Sequence, residues 1–266
     1  MPSQAGPAAS ARATGPDREN KNVRSICQTR LGAARPYTGA MCGRFTLTRQ
    51  DREELARELG VSPEDFGEAE YRPRYNVAPL QRHWIVRLEQ EDRRLLPARW
   101  GLVNSWAKDN KRAAQQINAR AETIDARPAF RAAFKARRCV VPADGFYEWT
   151  GPKGNRRPLW FHRPDGGLLL FAGLYEAWFP EKDTPETTFT IVTTQANDLM
   201  APVHDRMPVI LSEEAADEGM LPGAAVADQL LRLLGPPPND WLIPRPASTR
   251  MNSVKVDAPD VLRPDE

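Results

Sequence analysis

Four short segments of this chain carry side chains whose types and spacing could do chemistry. "MCGRF", residues 41–45, places Cys42 directly after a methionine. If translation starts at Met41 and the methionine is removed, Cys42 becomes residue one, with an α-amine and a thiol on adjacent carbons. The amine condenses with an aldehyde to an imine, and the thiol then closes a five-membered thiazolidine. An unperturbed α-amine, with a pKa of about 7.7–8.0, keeps a useful neutral fraction at pH 7. The alternative is a buried first-strand cysteine. "VVPADGFYEW" sets Glu148 among Phe146, Tyr147 and Trp149, where burial would suit a general acid or base; an edge-strand carboxylate in water is the bland alternative. "APVHDRMP" puts His204 in a Pro-flanked loop beside Asp205 and Arg206, and loops held by a rigid scaffold concentrate catalytic groups. An exposed loop histidine fits that segment as well. "NARAET", residues 118–123, supplies an amide, a guanidinium and a carboxylate in succession, although capped helix starts look similar.

The remaining histidines, His83 and His162, lie in strand-like contexts and read as structural. Cys139, in "RRCVVP", reads as a buried small hydrophobe. Aromatic residues and cations interleave in "ARWGLVNSWAKDNKR", where Trp100 and Trp106 stand near Lys108, Lys111 and Arg112. Arg120, Arg127, Arg131 and the "KARR" segment with Lys135, Arg137 and Arg138 follow. Such interleaving suits stacking and phosphate neutralisation on single strands. A solvated charged face over core tryptophans is equally consistent with it.

Elements must hold these groups in place. Asp51–Leu59 reads as a helix capped by Asp51 and ended by Gly60. "HWIVRLE" alternates Trp84, Val86 and Leu88 on one face, and "LWFHR", "LLLFAGLYEAW" and "FTIVTT" are further strand candidates. Phe130–Ala136, Ser212–Met220 and Ala224–Leu234 read as helices. Strands and helices do not interleave regularly, which favours a single mixed α+β domain with a strand-rich core and a few peripheral helices over a doubly wound parallel sheet.

With 266 residues the chain suits one sizeable domain plus an appendage; 41% apolar and 27% charged residues with a net charge of +2 exclude global disorder or a coat of positive charge. Three cysteines without a C-x-x-C pair argue against a structural zinc site or a secreted disulfide framework. No apolar run is long enough for a membrane span or a signal peptide, so the expected location is cytoplasmic. Residues 1–40 are rich in Ala, Gly, Pro, Ser and Arg without apolar periodicity and read as a disordered leader.

Seven blocks in order, "MCGRF" (41–45), "YNVAP" (75–79), "RWGLV" with a following "SW" (99–106), "NARAET" (118–123), "RRCVVPADGFYEW" (137–149), "FAGLYEAW" (171–178) and "IVTTQAN" leading to "VHDRMPVIL" (191–211), resemble the SOS-response-associated peptidase (SRAP) family. These are abasic-site-processing proteins of the DNA damage response that crosslink covalently to single-stranded DNA. The resemblance implies the SRAP fold over residues 41–262. It implies that Cys42 attacks the ring-opened aldehyde of an abasic deoxyribose, Asn118 orients the reacting groups, Glu148 transfers protons near the α-amine, and His204 assists sugar-ring opening. By the same resemblance Arg44, Asn76, Arg120 and Arg206 hold phosphates, and Pro79 and Trp106 complete the DNA-binding surface, Trp106 by stacking beside the missing base. No metal or organic cofactor is implied. The implied partner is single-stranded DNA containing abasic sites, bound by a monomer that is nucleoid-associated when on DNA.

Three departures from the family pattern matter. With Cys42 internal, its nitrogen is an amide and cannot form an imine. Either Met41 is the true start, the reading adopted, or the leader is removed, by self-processing among other routes. Asn104 replaces a usual proline, and Ala107 stands where a second aromatic can occur. A rival expectation is a thiol peptidase or amidohydrolase using Cys42, His204 and Glu148 in acyl transfer; a third is a noncovalent DNA-binding module.

Overall fold

A computed structural model of the chain describes residues 43–67, 71–152, 154–181, 184–221, 223 and 229–265. The leader and Cys42 lie outside the described residues. Helix α1 (Arg52–Leu59) forms where the sequence predicts it. The Asp51 carboxylate accepts from the N–H groups of Glu53 at 2.7 Å and Glu54 at 3.1 Å, and Gly60 ends the helix at φ 63°. These caps satisfy orphan backbone groups at the helix ends. Helices α2 (Arg131–Ala136) and α3 (Glu213–Met220) also match, α3 starting where Ser212 accepts from Ala215 N–H. The helix expected over 224–234 falls partly outside the described residues, and Leu231–Leu233 is a single 3-10 turn.

Strands make the core. β1 (Phe45–Leu47) and β2 (Arg74–Val77) precede a long hairpin of β3 (Arg82–Glu89) and β4 (Asp92–Trp100). After the short β5 (Asn118–Arg120) come β6 (Arg138–Ala143), β7 (Gly145–Thr150), β8 (Arg157–His162), β9 (Leu169–Glu181) and β10 (Thr184–Gln195). β11 (Arg206–Pro208), β12 (Ile210–Leu211) and β13 (Ile243–Pro246) complete the set. The pairings β10–β4, β4–β3, β3–β6, β6–β9 and β9–β10 return to their starting strand and close a five-stranded barrel. The β4–β10 contact is parallel, and β5 adds beside it in parallel to β10. A second sheet runs β13-β8-β7-β1-β2.

Period-two alternation explains how one strand serves two cores. On β3, Ile85 faces a cluster with Phe45, Trp100, Cys139, Phe171 and Phe189, while Val86 faces the helices with Leu55, Phe134 and Leu174. Trp84 and Leu88 pack on the Val86 side, as the alternation predicts. The first cluster fills the barrel and reaches Phe146 and Phe161 of the second sheet, so β7 is held against the barrel by shared apolar burial. No helix among the described residues is long and apolar enough to cross a membrane.

His83, on β3, is structural. Its Nε2 lies 2.8 Å from the Pro142 carbonyl and its ring meets the Phe45 ring edge-on at 4.7 Å. Burial lowers its pKa from 6.5 to about 4. The folded state therefore refuses a proton that the unfolded chain accepts. The His83 contribution to stability is complete above pH 6.5 and is lost as pH falls towards 4, by on the order of 3 kcal/mol. Replacing His83→Gln, whose amide can still donate to Pro142, is expected to flatten the melting temperature between pH 6.5 and 4; an unaltered acid slope would contradict this assignment.

Candidate active site

β1 pairs antiparallel with β7 through Phe45↔Phe146 and Thr46↔Gly145. The ladder continues outward, since Tyr147 N–H donates to the Arg44 carbonyl at 3.0 Å. One more step of this register sets Gly43, the residue after Cys42, opposite Glu148. The hairpin partner β8 fixes the other edge of β7, with Glu148 opposite Leu159. Asp144 locks the start of this arrangement, accepting from the Thr46 hydroxyl and from the backbone and hydroxyl of Thr48, each at 2.6 Å.

A cleft of about 750 Å³ opens at this point, lined by Gly43, Arg44, Pro79, Ile117, Glu148 and Trp149. The β7–β8 turn contributes Gly154, Asn155 and Arg156, and the C-terminal 3-10 turn contributes Thr249 and Asn252. Glu148 is only 4% exposed, which excludes the alternative of an edge-strand carboxylate in water. Trp149 donates its indole N–H to Asn252 Oδ1 at 2.7 Å, fixing an aromatic wall. Arg44 donates to Asn76 Oδ1 at 3.1 Å and to the Met251 carbonyl at 2.8 Å. Burial lowers its pKa from the ordinary arginine value, with Tyr147 opposing; the group stays a cation.

Asn76 requires a correction. It is 0% exposed, and its amide donates to the Met251, Ser253 and Val256 carbonyls at 2.9, 3.1 and 2.7 Å. A fully enclosed amide does not reach a phosphate. It holds the C-terminal wall and orients Arg44 from behind. Asp257 supports it, accepting from Tyr75 N–H at 2.6 Å and Asn76 N–H at 3.0 Å.

The other expected residues gather where β5 and β11 flank β10. Asn118 pairs with Ile191 and Arg120 with Thr193, while Arg206 pairs with Gln195. Ile117, one residue before Asn118, lines the cleft and so joins the two groups. His204 is buried, not an exposed loop histidine; Arg206 N–H donates to its Nδ1 at 3.1 Å, and Asp205 Oδ1 lies 2.9 Å from the same nitrogen. Arg206 makes a two-pronged pair with Glu122, 2.9 Å on each prong, and donates to the Thr193 carbonyl at 2.6 Å. Burial works to raise the Glu122 pKa, but the Arg206 hydrogen bonds and charge prevail and it falls below the ordinary value. Arg120 is exposed, and no ion pair ties it among the described residues.

The aromatic and basic segment divides. Trp100 is fully buried, its indole N–H donating to the Ile117 carbonyl at 2.8 Å, so it is core and not a stacking platform. Trp106 is 71% exposed. Its turn is anchored on both sides: Asn104 donates to the Ala129 carbonyl at 2.8 Å, and Trp178 donates to the Ala107 carbonyl at 2.9 Å. The Asn104 side chain thus acts as a tether for this turn. Arg138 is a second correction, buried and donating to the Phe134, Gly219 and Leu221 carbonyls. Arg137 is paired with Glu176 at 2.7 Å. Cys139 is buried and its thiol pKa is pushed up by desolvation, which makes it inert. Arg156, Thr249, Asn252 and Asp257 are not among the residues expected from the sequence; the paired glycines of "GPKGNRR" are the one local feature that could have marked the turn carrying Arg156, and the C-terminal residues carry no comparable one.

A closed strand barrel joined to a second sheet, with a polar cleft at Gly43 and Glu148, defines an α+β architecture. A family model described as SOS response associated peptidase (SRAP) matches residues 41–254. The abasic site processing protein YoqW of Bacillus subtilis (strain 168) is 40% identical over 224 residues, spanning 84% of this chain and 99% of that protein. The abasic site processing protein HMCES of Gallus gallus is 33% identical over 275 residues, 91% of this chain and 77% of that protein. A crystal structure of a Bacteroides thetaiotaomicron protein shares the fold, with a TM-score of 0.73 at 24% identity over 85% of this chain and 100% of that one. The chain belongs to the SRAP family.

Proposed function

We propose that this protein processes abasic sites in single-stranded DNA by forming a covalent thiazolidine through Cys42 once that residue is the chain terminus. The observation that carries this reading is that Gly43, the immediate neighbour of Cys42, and the buried Glu148 line the same polar cleft. The α-amine of Cys42 attacks the aldehyde carbon of the ring-opened sugar. Glu148 takes a proton from the attacking amine and returns it to the departing hydroxyl, which leaves as water, giving the imine. The thiol sulfur then bonds to the imine carbon, and its hydrogen passes to nitrogen. The balance is aldehyde plus aminothiol to thiazolidine plus water. His204 assists opening of the sugar ring and Asn118 orients the reacting groups. The capped carbon no longer activates the neighbouring C–H, so β-elimination and strand breakage stop. Each molecule acts once per crosslink, so the activity is suicidal and not a steady turnover.

Strand contact rests on Arg44, Arg120 and Arg206 with Trp106 and Pro79, and is sequence-tolerant because phosphates and stacking carry it. Glu122 is held by Arg206 in a two-pronged pair and feels the Arg120 charge only through space, which leaves the Arg120 guanidinium the freer of the two to meet a phosphate. Arg120→Ala is therefore expected to lower the slope of log affinity against log salt by about 0.7, measured by anisotropy with a single-stranded oligonucleotide. An unchanged slope would remove Arg120 from the phosphate contacts.

Denaturing electrophoresis tests the covalent step. The processed protein mixed with an abasic single strand should give a band that survives detergent and heat, and Cys42→Ala should abolish it. Steady release of peptide products that ignores DNA, with no such band, would establish the thiol peptidase reading instead.

A further inference from the structure

Leu80 combines two features that rarely coexist. Its φ is 68°, in the left-handed region, and its side chain is 46% exposed. The turn is closed by Gln81 N–H donating to the Ala78 carbonyl at 3.2 Å, with Pro79 second and Leu80 third. Glycine or asparagine is the usual occupant of a third position with positive φ, because a Cβ is strained there. The only other non-glycine residue with positive φ among the described residues, Gln90, sits in the tight turn between β3 and β4. The conformation of Leu80 is enforced: its N–H donates to the Trp100 carbonyl at 2.8 Å, and Trp100 N–H donates to the Gln81 carbonyl at 3.0 Å. Gly101 leaves room beside it, since a Cβ there would come within 3.2 Å of Leu80 Cδ2. A strained backbone thus holds a branched apolar side chain half in water, next to Pro79 in the cleft lining.

Strain persists where surrounding structure over-determines it, and such sites cluster at functional surfaces. Burial does not explain the leucine, because nearly half of it is wet. We propose that Leu80 is an apolar wedge that enters a bound strand at the gap left by the missing base, stacking against the neighbouring base and favouring gapped strands over intact ones. Leucine is among the side chains used to part base steps. The vacated position at an abasic site removes the unstacking cost that an intact strand imposes. The inference rests on the abasic-site reading and adds a residue that selects the lesion before any bond forms.

The test uses a single strand carrying a tetrahydrofuran abasic analogue, which has no aldehyde, with 2-aminopurine as the adjacent base. Two variants accept positive φ without a wedge, Leu80→Gly and Leu80→Asn. Both are expected to melt no lower than the parent, to lose about tenfold of its preference for the gapped over the intact strand, and to lose most of the 2-aminopurine fluorescence change on binding. Retention of the parent's preference and signal by both variants would overturn the wedge while leaving the abasic-site reading intact. A parent protein that shows no preference for the gapped strand and no crosslink to a true abasic strand would instead sink that reading itself.

Discussion

Glu148→Gln is expected to slow crosslinking to abasic single strands by about 10²–10⁴-fold while changing strand affinity little. The substitution keeps size and hydrogen-bonding capacity within the cleft, where Glu148 is 4% exposed, so packing against Leu159 and the β7–β8 ladder persists. What disappears is the carboxylate that, in the proposed mechanism, accepts the amine's proton and hands it to the leaving hydroxyl. Quenched time courses on denaturing gels, with binding measured separately on a tetrahydrofuran strand, separate chemistry from affinity. A rate within about threefold of the parent would mean that the proton moves through water or another group, and Glu148 would lose its assigned role.

The second large effect concerns Asn76, whose side chain is fully enclosed. Asn76→Ala is expected to destabilise the fold by about 3 kcal/mol, because it leaves buried carbonyls without a donor. For a chain of this size that corresponds to a fall in melting temperature of roughly 6–12 °C. The same change removes the Oδ1 partner of Arg44 and loosens the wall carrying Thr249 and Asn252. Strand binding should weaken too, even at temperatures where the variant is fully folded. A variant as stable as the parent would show that water replaces the amide, and the positioning role would fail.

Local signals in the sequence were strong where local physics decides. Asp51 and Gly60 bracket α1 because capping depends on groups within a few residues. The alternation on β3 sorts Val86 from Ile85 because strand periodicity is two. Glu148 was legible as a candidate, but its burial depends on β7 being sandwiched between β1 and β8, a non-local fact. Trp100 and Trp106 looked alike in "RWGLVNSW"; the parallel β4–β10 pairing buries the first and leaves the second on a tethered turn. Asn76 looked like a contact residue within "YNVAP", yet its partners Met251, Ser253 and Val256 lie more than 170 positions away. Arg138 likewise seemed a surface cation until the carbonyls of Gly219 and Leu221, at the end of α3, claimed it. Long-range partners of this kind leave no periodic trace in the sequence.

The shared cleft of Gly43 and Glu148 suits the proposed mechanism, in which Cys42 is both terminal and close to a proton carrier. That mechanism's central claim is that amine and thiol of Cys42 react together, which an amide-bound cysteine cannot do. Intact mass decides it most directly. Chains beginning at Met41 and at Met1 would each be weighed before and after mixing with a single strand containing one abasic site. The account predicts that the Met41 chain loses its methionine and gains the mass of the DNA less one water, while the uncut Met1 chain gains nothing. No mass gain by the Met41 chain after its methionine is lost, or an equal gain by an uncut Met1 chain, would contradict the terminal aminothiol mechanism.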